Sequence, residues 1–296
     1  MTPARLQSFL AIVDSGSARA AATRLHVTES AVSASLAALH HEVGVSLFER
    51  QGRGLRLTEA GSIFAGYARQ ILGLMDESVA AARTSVAAEA GRVRLGAVTT
   101  AGEYLVPGLL AGFRAAYPAV DVTLEVGVRD DILSRLADHH LDVVVAGRPL
   151  AGKGIRVRAK RTNSLVVVAA PEYDVPLEEA TWLLREPGSG TRATTLTLLE
   201  SLGITPPTLS LGSHGAVISS AVLGLGVTLV STDAITRQVA DGALVHRTAA
   251  GTPLARPWHV LTGGTPTAST ELFVQHVVDA DTDLAFVRHP RRRRQG

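Results

Sequence analysis

The chain of 296 residues has no cysteine, which excludes disulfides, thiolate zinc sites, iron–sulfur clusters and cysteine nucleophiles together. Its absence also points to a reducing, cytosolic compartment. Aromatic residues are only 4%, which argues against a carbohydrate-stacking or aromatic-cage protein. Lysine is nearly missing as well: Lys153 and Lys160 are the only two. Almost every cation is therefore arginine, the side chain suited to bidentate phosphate or carboxylate contact. No apolar run approaches the ~20 residues of a membrane span, and no basic-then-apolar leader opens the chain. A soluble cytoplasmic protein with no membrane partner is expected.

The content is that of a globular protein. Hydrophobic residues make up 46% and charged residues 19%, enough for a core and too apolar for general disorder. The length suits about two domains of roughly 150 residues. Net charge is only +2, so bulk charge announces no nucleic-acid partner, and the distribution matters more. Five arginines, Arg288 and Arg291 to Arg294, fall in the last nine residues. They read as a solvated, disordered end, the alternative being an arm that touches phosphate.

The first sixty residues carry three helix signals and a hairpin signal. Thr2-Pro3 opens a helix with the apolar stripe Leu6, Phe9, Leu10 and Val13, and Gly16 ends it. Ser17 caps a short helix through Leu25, with Ala21, Ala22 and Leu25 facing inward. Thr28 caps a third, buried through Val32, Leu36, Leu39 and Val43 and closed by Gly44. Its other face carries Ser30, Ser33, Ala34 and Ala37, short side chains that permit close approach to a flat partner. Residues 47–50 and 55–57 alternate around Gln51-Gly52-Arg53-Gly54, with Arg50, Arg53 and Arg56 on or beside the turn. This describes a winged helix-turn-helix whose helix enters a DNA major groove, or a small helical bundle for protein contact. In the first reading Thr28, Ser30 and Ser33 meet base edges or phosphates, and the wing arginines neutralise phosphates.

Residues 8 to 61 resemble the DNA-binding domain of LysR-type transcriptional regulators. The resemblance rests on Phe9, Ser17, Ala20 to Ala22 with Leu25, Ser30-Ala31-Val32-Ser33, and Leu39. Gly44, Leu47-Phe48, Arg50 and Leu57-Thr58-Glu59-Ala60-Gly61 complete it. It implies that Ser30, Ser33 and the neighbouring Ala34 lie at the groove, with Ala18 and Arg19 near phosphate and Arg50, Arg53 and Arg56 on the wing. The chain departs from the family at Glu29, where glutamine is usual, and near Ala34 and Ser35, where arginine and glutamine are usual. A glutamate accepts from a cytosine amino group but repels phosphate. Six arginines against five acids in the first sixty residues predict weak non-specific affinity and reliance on avidity.

From Ala60 a seam of Phe64, Tyr67, Ile71, Leu74, Ser78, Ala81 and Ser85 alternates four and three, fitting a long helix against a twin or against its own domain. The resemblance favours a dimer-forming linker helix. The expected domains are 1–58 (all-α winged helix-turn-helix), 59–90 (linker helix) and 91–296.

Beyond residue 91, apolar runs alternate with helical patterns, an α/β domain with mainly parallel sheets. A helix is expected from Glu103 to Tyr117, and strands at Leu209–Leu211 and Trp258–Leu261. The segments "GRVRLGAVTTAGEYLVPGLLAGFRAAYP", "LDVVVAG", "REPGSGTR" and "AVLGLGVTLVS" resemble the effector-binding domain of the same family. That domain is built like a periplasmic binding protein, and the resemblance implies one lobe of 91–162 plus 265–296 and another of 163–264. Small molecules bind such domains beyond strand ends, where helix N-termini present amides. Thr99, Thr100, Arg148, Ser189, Gly190, Thr191, Arg192 and His214 occupy such places, with Arg148 and Arg192 as charged clamps. Each has a plainer reading: helix caps for the threonines, a tight connection for the glycine turn, a surface site for Arg148 and a satisfied loop histidine for His214. "REPGSGTR" looks most like the branch controlling carbon-fixation and sulfur- or nitrogen-assimilation operons, which implies a small anionic effector.

Enzyme signatures are missing: no Walker loop, no Gly-x-Ser-x-Gly, and no third glycine after Gly224-Leu225-Gly226. His139-His140 with Asp138 and Asp142 lacks the spacing of a zinc motif. No cofactor or metal is expected. The sequence therefore reads as a transcriptional regulator that binds double-stranded DNA and a small anion and self-associates as a dimer or a dimer of dimers. A cytoplasmic solute carrier with a protein-contact head is the alternative.

Overall fold

The computed structural model describes residues 1–51, 54–84, 88–147, 154–280 and 283–289. Two compact units emerge: Met1–Ala80 with Asp138–His140, and Ala81–Ala137 with Leu141–Gly296. Among the described residues no helix is long and apolar enough to cross a membrane.

In the first unit each helix begins and ends where local chemistry dictates. α1 (Pro3–Ser15) starts beneath the Thr2 hydroxyl, which accepts the Arg5 N–H, and stops at Gly16, left-handed with φ 75°. Ser17 caps α2 (Ala18–Leu25) and Thr28 caps α3 (Glu29–Val43), each cap contributing about 1 kcal/mol. β1 (Phe48–Gln51) and β2 (Gly54–Leu57) pair antiparallel as the wing, and α4 (Glu59–Thr84) follows. Phe9 is fully buried at the centre, its ring 5.3 Å from that of Phe48 and 5.2 Å from that of Phe64. Leu6, Ile12, Ala21, Val32, Leu39 and Leu47 close around them.

The register of α4 differs from the sequence expectation. Phe64, placed on the outer seam, packs instead into the head core with Ala65, Ala68 and Leu72. The exposed apolar stripe runs through Ile63, Tyr67, Ile71, Leu74, Met75 and Val79. Phe64 satisfies either periodicity, and its aromatic contact with Phe9 decides between them. The last seam residue, Ser85, lies outside the described residues.

The second unit contains two lobes. The first is a six-stranded sheet in the order β14-β6-β13-β5-β3-β4. Its members are β3 (Arg92–Val98), β4 (Asp121–Gly127), β5 (Val143–Ala146), β6 (Arg156–Arg161), β13 (Trp258–Thr262) and β14 (Val287–Arg288). α5 (Thr99–Tyr104), α6 (Val106–Ala116), α7 (Arg129–Ala137) and α11 (Ala268–Asp279) belong to this lobe. In the second lobe β7 (Ser164–Ala169) pairs with β10 (Thr228–Ser231), β11 (Val245–Arg247) and β12 (Leu254–Ala255). β8 (Trp182–Leu184) pairs with β9 (Thr208–Ser210) and bridges to Val227 just before β10. α8 (Gly190–Leu202), α9 (His214–Val222) and the short α10 (Thr236–Ala240) complete it.

Three expectations are corrected. The helix expected from Glu103 to Tyr117 is two helices broken at Leu105, because Pro107 lacks an N–H and its ring clashes with the preceding turn. Neither lobe is mainly parallel. In the first, β13 is antiparallel to β5 and β6 and β14 to β6, with β3 alone parallel to its neighbours β4 and β5. In the second, β7 is antiparallel to all three of its partners. An unbroken apolar run such as Leu165–Ala169 signals burial on both faces and carries no information about direction. The strand at Trp258–Thr262 belongs to the first lobe, paired with β5 and β6, so the second crossing falls before 258 and not at 264.

Two glycines owe their places to close backbone approach. A Cβ on Gly226 would lie 2.1 Å from the Thr181 carbonyl oxygen, where β8 meets Val227. A Cβ on Gly61 would lie 1.9 Å from the Leu47 oxygen, in the turn where Thr58 N–H also donates to that oxygen at 3.1 Å. Gly61→Ala should therefore destabilise the protein by about 1–3 kcal/mol, the usual cost of overpacking. Gly66→Ala, in the same helix with no atom within 4 Å of the new methyl, should stabilise by up to about 1 kcal/mol. Chemical denaturation of both variants checks the pair, and equal effects would refute the close-approach reading.

Candidate nucleic-acid interface and ligand cleft

On the head, the start of α3 presents its side chains to solvent. The Thr28 hydroxyl accepts the Ala31 N–H at 3.3 Å and lies 3.0 Å from the Ser30 hydroxyl. Glu29, Ser30, Ser33 and Ala34 are exposed, as are Arg19 and Arg50, while Ala18 is half-buried. A groove runs along Gly16 to Arg19, Glu29, Arg50, Gly54 and Leu55, joining the starts of α2 and α3 to the wing. Arg56 is held across the hairpin, its Nε 2.7 Å from Glu49. Arg5 pairs with Glu42, and Arg24 and Arg69 both pair with Asp14. Arg19 and Arg50 form no ion pair with a described residue. Arg53 lies outside the described residues.

In the second unit, a cleft lies where the two lobes meet. Thr99 and Thr100 enter it from the start of α5, where the Thr99 hydroxyl donates to the Gly127 carbonyl at 3.3 Å. Ser189, Gly190 and Thr191 enter it from the start of α8, with the Ser189 hydroxyl accepting the Arg192 N–H at 3.4 Å. Gly190 is where the charges gather. A Cβ there would lie 3.3 Å from Arg129 Cδ and 3.4 Å from Arg256 Nη2, so both arginines approach the amide end of α8. The crossings hold one of them in place: Asn163 Nδ2 donates to the Arg256 carbonyl at 2.9 Å, and Arg256 N–H donates to the Asn163 carbonyl at 2.8 Å. Asn163 Oδ1 in turn accepts the Ser231 hydroxyl at 2.7 Å.

Arg185 forms the deep wall. Its side chain is only 5% exposed, with Nε and Nη2 donating to the Glu186 carboxylate at 2.7 and 2.6 Å and Nη1 donating to His214 Nδ1 at 2.9 Å. His214 is buried, and burial first and the Arg185 charge second push its pKa down to about 4. It is neutral, with Nδ1 accepting and the proton on Nε2. Its ring stands edge-on to Tyr104 at 5.4 Å. Burial raises the Glu186 pKa, but the Arg185 hydrogen bonds, a backbone hydrogen bond and nearby positive charge outweigh it, leaving Glu186 below the usual carboxylate range. Burial pushes Glu103, on α5, upward despite Arg185. Among the described residues three guanidinium groups (Arg129, Arg185 and Arg256) and one carboxylate, Glu186, line the cleft, and Arg129 also pairs with Asp130 at 3.0 Å.

Of the cleft residues read from the sequence, Thr99, Thr100, Ser189, Gly190 and Thr191 are brought together. Arg148 lies outside the described residues. Arg192 is not in the cleft wall: its Nη1 donates to the Arg185 carbonyl at 2.6 Å and the Ser210 hydroxyl at 2.8 Å, tying α8 to β8 and β9. His214 stands behind Arg185 as its acceptor and does not line the cleft. Sequence reasoning missed Arg129, Arg185, Glu186, Asn163 and Arg256. Arg129 opens a helix after a strand, as Thr99 does, and was legible by the same rule. Arg256 sits on a returning crossing that no local pattern marks.

Residues 3–62 match the bacterial regulatory helix-turn-helix family of lysR type, and residues 87–282 match the LysR substrate binding domain. The HTH-type transcriptional regulator CbbR of Rhodospirillum rubrum is 34% identical over 265 residues, covering 87% of this chain and 88% of that protein. Full-length CbnR, crystallised with its target DNA, shares the fold with a TM-score of 0.63 at 22% identity, over 93% of this chain and 98% of that one. The regulatory domain of Synechocystis PCC6803 CcmR in complex with 2-PG superposes with a TM-score of 0.58 at 25% identity, over 62% of this chain and 94% of that one. A winged head, a long helix and a two-lobed cleft, matched along the chain by both family domains, show that this protein belongs to the LysR family of transcriptional regulators.

Proposed function

We propose that the protein is a homodimeric, cytoplasmic LysR-type regulator whose DNA binding is set by a small anion held between the lobes. The observation that carries the anion is Gly190, whose amide end of α8 is flanked by Arg129 and Arg256. A helix N-terminus with two converging guanidinium groups favours phosphate or carboxylate. Thr99, Thr100, Ser189 and Thr191 supply hydroxyls around it, and Arg185 adds a third cation. The resemblance to CcmR, solved in complex with 2-PG, supports the same ligand class.

Self-association runs through α4. Ile63, Tyr67, Ile71, Leu74 and Val79 form an exposed stripe that a twin helix would cover, holding two heads at fixed spacing for two half-sites. On each head Thr28, Ser30, Ser33 and Ala34 lie at the base edges, Ala18 and Arg19 lie near phosphate, and Arg50, Arg53 and Arg56 belong to the wing. The effector acts only through its differential affinity for the open and closed lobe arrangements, so closure and head placement are linked. A solute carrier would leave the head without a role.

Arg256→Ala should weaken binding of 2-PG, used as a probe anion, at least tenfold by titration calorimetry, with the unfolding midpoint little changed. Unaltered affinity in a protein that does bind the probe would remove Arg256 from the clamp. Leu74→Glu should convert the dimer to monomer in sedimentation experiments and abolish footprints on the upstream promoter region; a variant that remains dimeric would move the interface elsewhere.

A further inference from the structure

We propose that Glu29 is the principal base-reading side chain of α3 and that it selects a cytosine in each half-site. The argument begins with what α3 lacks. Its sequence, ESAVSASLAALHHEV, contains no arginine, lysine, asparagine or glutamine, so the side chains that grip guanine or adenine bidentately are missing from the helix. On the exposed face of its first two turns Ser30, Ser33, Ala34 and Ala37 are all short. Glu29 is the one long polar side chain there, at the helix end that enters the groove. It is exposed and lines the same channel as Arg19 and Arg50.

The charge of Glu29 is the second line of argument. The other acids of the head are mostly committed: Asp14 to Arg24 and Arg69, Glu42 to Arg5, Glu49 to Arg56. Glu29 forms no ion pair with a described residue. A carboxylate brought against DNA is repelled by the phosphates unless it meets a donor, and it is acceptor-only. In the major groove donors are offered by the amino groups of cytosine and adenine; adenine pairs that donor with the N7 acceptor beside it, which repels a second carboxylate oxygen. Cytosine N4 is the donor that suits Glu29.

The test is selection of binding sites from a randomised duplex library by the full-length protein and by Glu29→Gln. The wild-type consensus should hold a C·G pair at the same place in both half-sites, preferred about tenfold over other pairs, within the range of a good base contact. Glu29→Gln should lose that preference and shift it toward A·T, because the amide pairs with adenine N6 and N7. Wild-type protein on an operator carrying N4-methylcytosine at that position, where the methyl replaces the groove-facing hydrogen, should show the same loss without any protein change. An identical consensus for both proteins, or a uniform rise in the affinity of Glu29→Gln for every sequence, would overturn the proposal. Either would leave Glu29 as a repulsive charge only.

Discussion

The effector half of the molecule depends on the seam where the chain crosses between lobes. Asn163 uses its side-chain amide and its own carbonyl to grip the backbone of Arg256, while its Oδ1 accepts the Ser231 hydroxyl. Next to it Asp233 receives both Arg161, at 2.7 Å, and the Trp258 indole N–H, at 2.6 Å. These contacts bind the outgoing and returning segments to each other and to the second lobe. Buried polar groups satisfied this fully fix one arrangement, because a slip would leave several unpaired at once. The same grip sets the backbone from which Arg256 reaches the amide end of α8. The crossing between the lobes and the proposed anion cradle are therefore one construction.

The head rests on a different kind of constraint. Its core is small and largely aliphatic, and Phe9 supplies the junction that brings the wing, through Phe48, and the long helix, through Phe64, onto the three-helix unit. Gly61 allows α4 to start hard against the Leu47 carbonyl. These two contacts set the angle at which α4 leaves the wing. Surface ion pairs such as Arg24 with Asp14 add little by comparison.

Much of this was legible in the sequence because it is local. Caps at Thr2, Ser17 and Thr28, the left-handed glycines Gly16 and Gly44, and the Gln51–Gly54 turn act within a few residues, and the structure carries helices and hairpin where they signal. The cleft was legible where a strand runs into a helix, as at Thr99 and at Ser189 to Thr191. It was illegible where long-range pairing decides: strand direction around β7, the lobe to which Trp258–Thr262 belongs, and the arrival of Arg256. Arg192 shows the converse failure. A cation at a helix start looks like a clamp until its neighbours are known, and here the Arg185 carbonyl and Ser210 already occupy it. Phe64 failed for a related reason, since two faces of one helix were both apolar and only tertiary contact separates them.

Burying His214 has a consequence for what the cleft senses. With its pKa near 4 the His214 ring stays neutral near neutral pH, and Glu186 is held below the usual carboxylate range. Neither His214 nor Glu186 therefore changes charge near neutral pH, and Glu103, which burial pushes upward beside Arg185, is the neighbour that does not share this constancy. Under the proposed reading, those two groups leave any response to protons to Glu103 and to the ionisation of the metabolite itself.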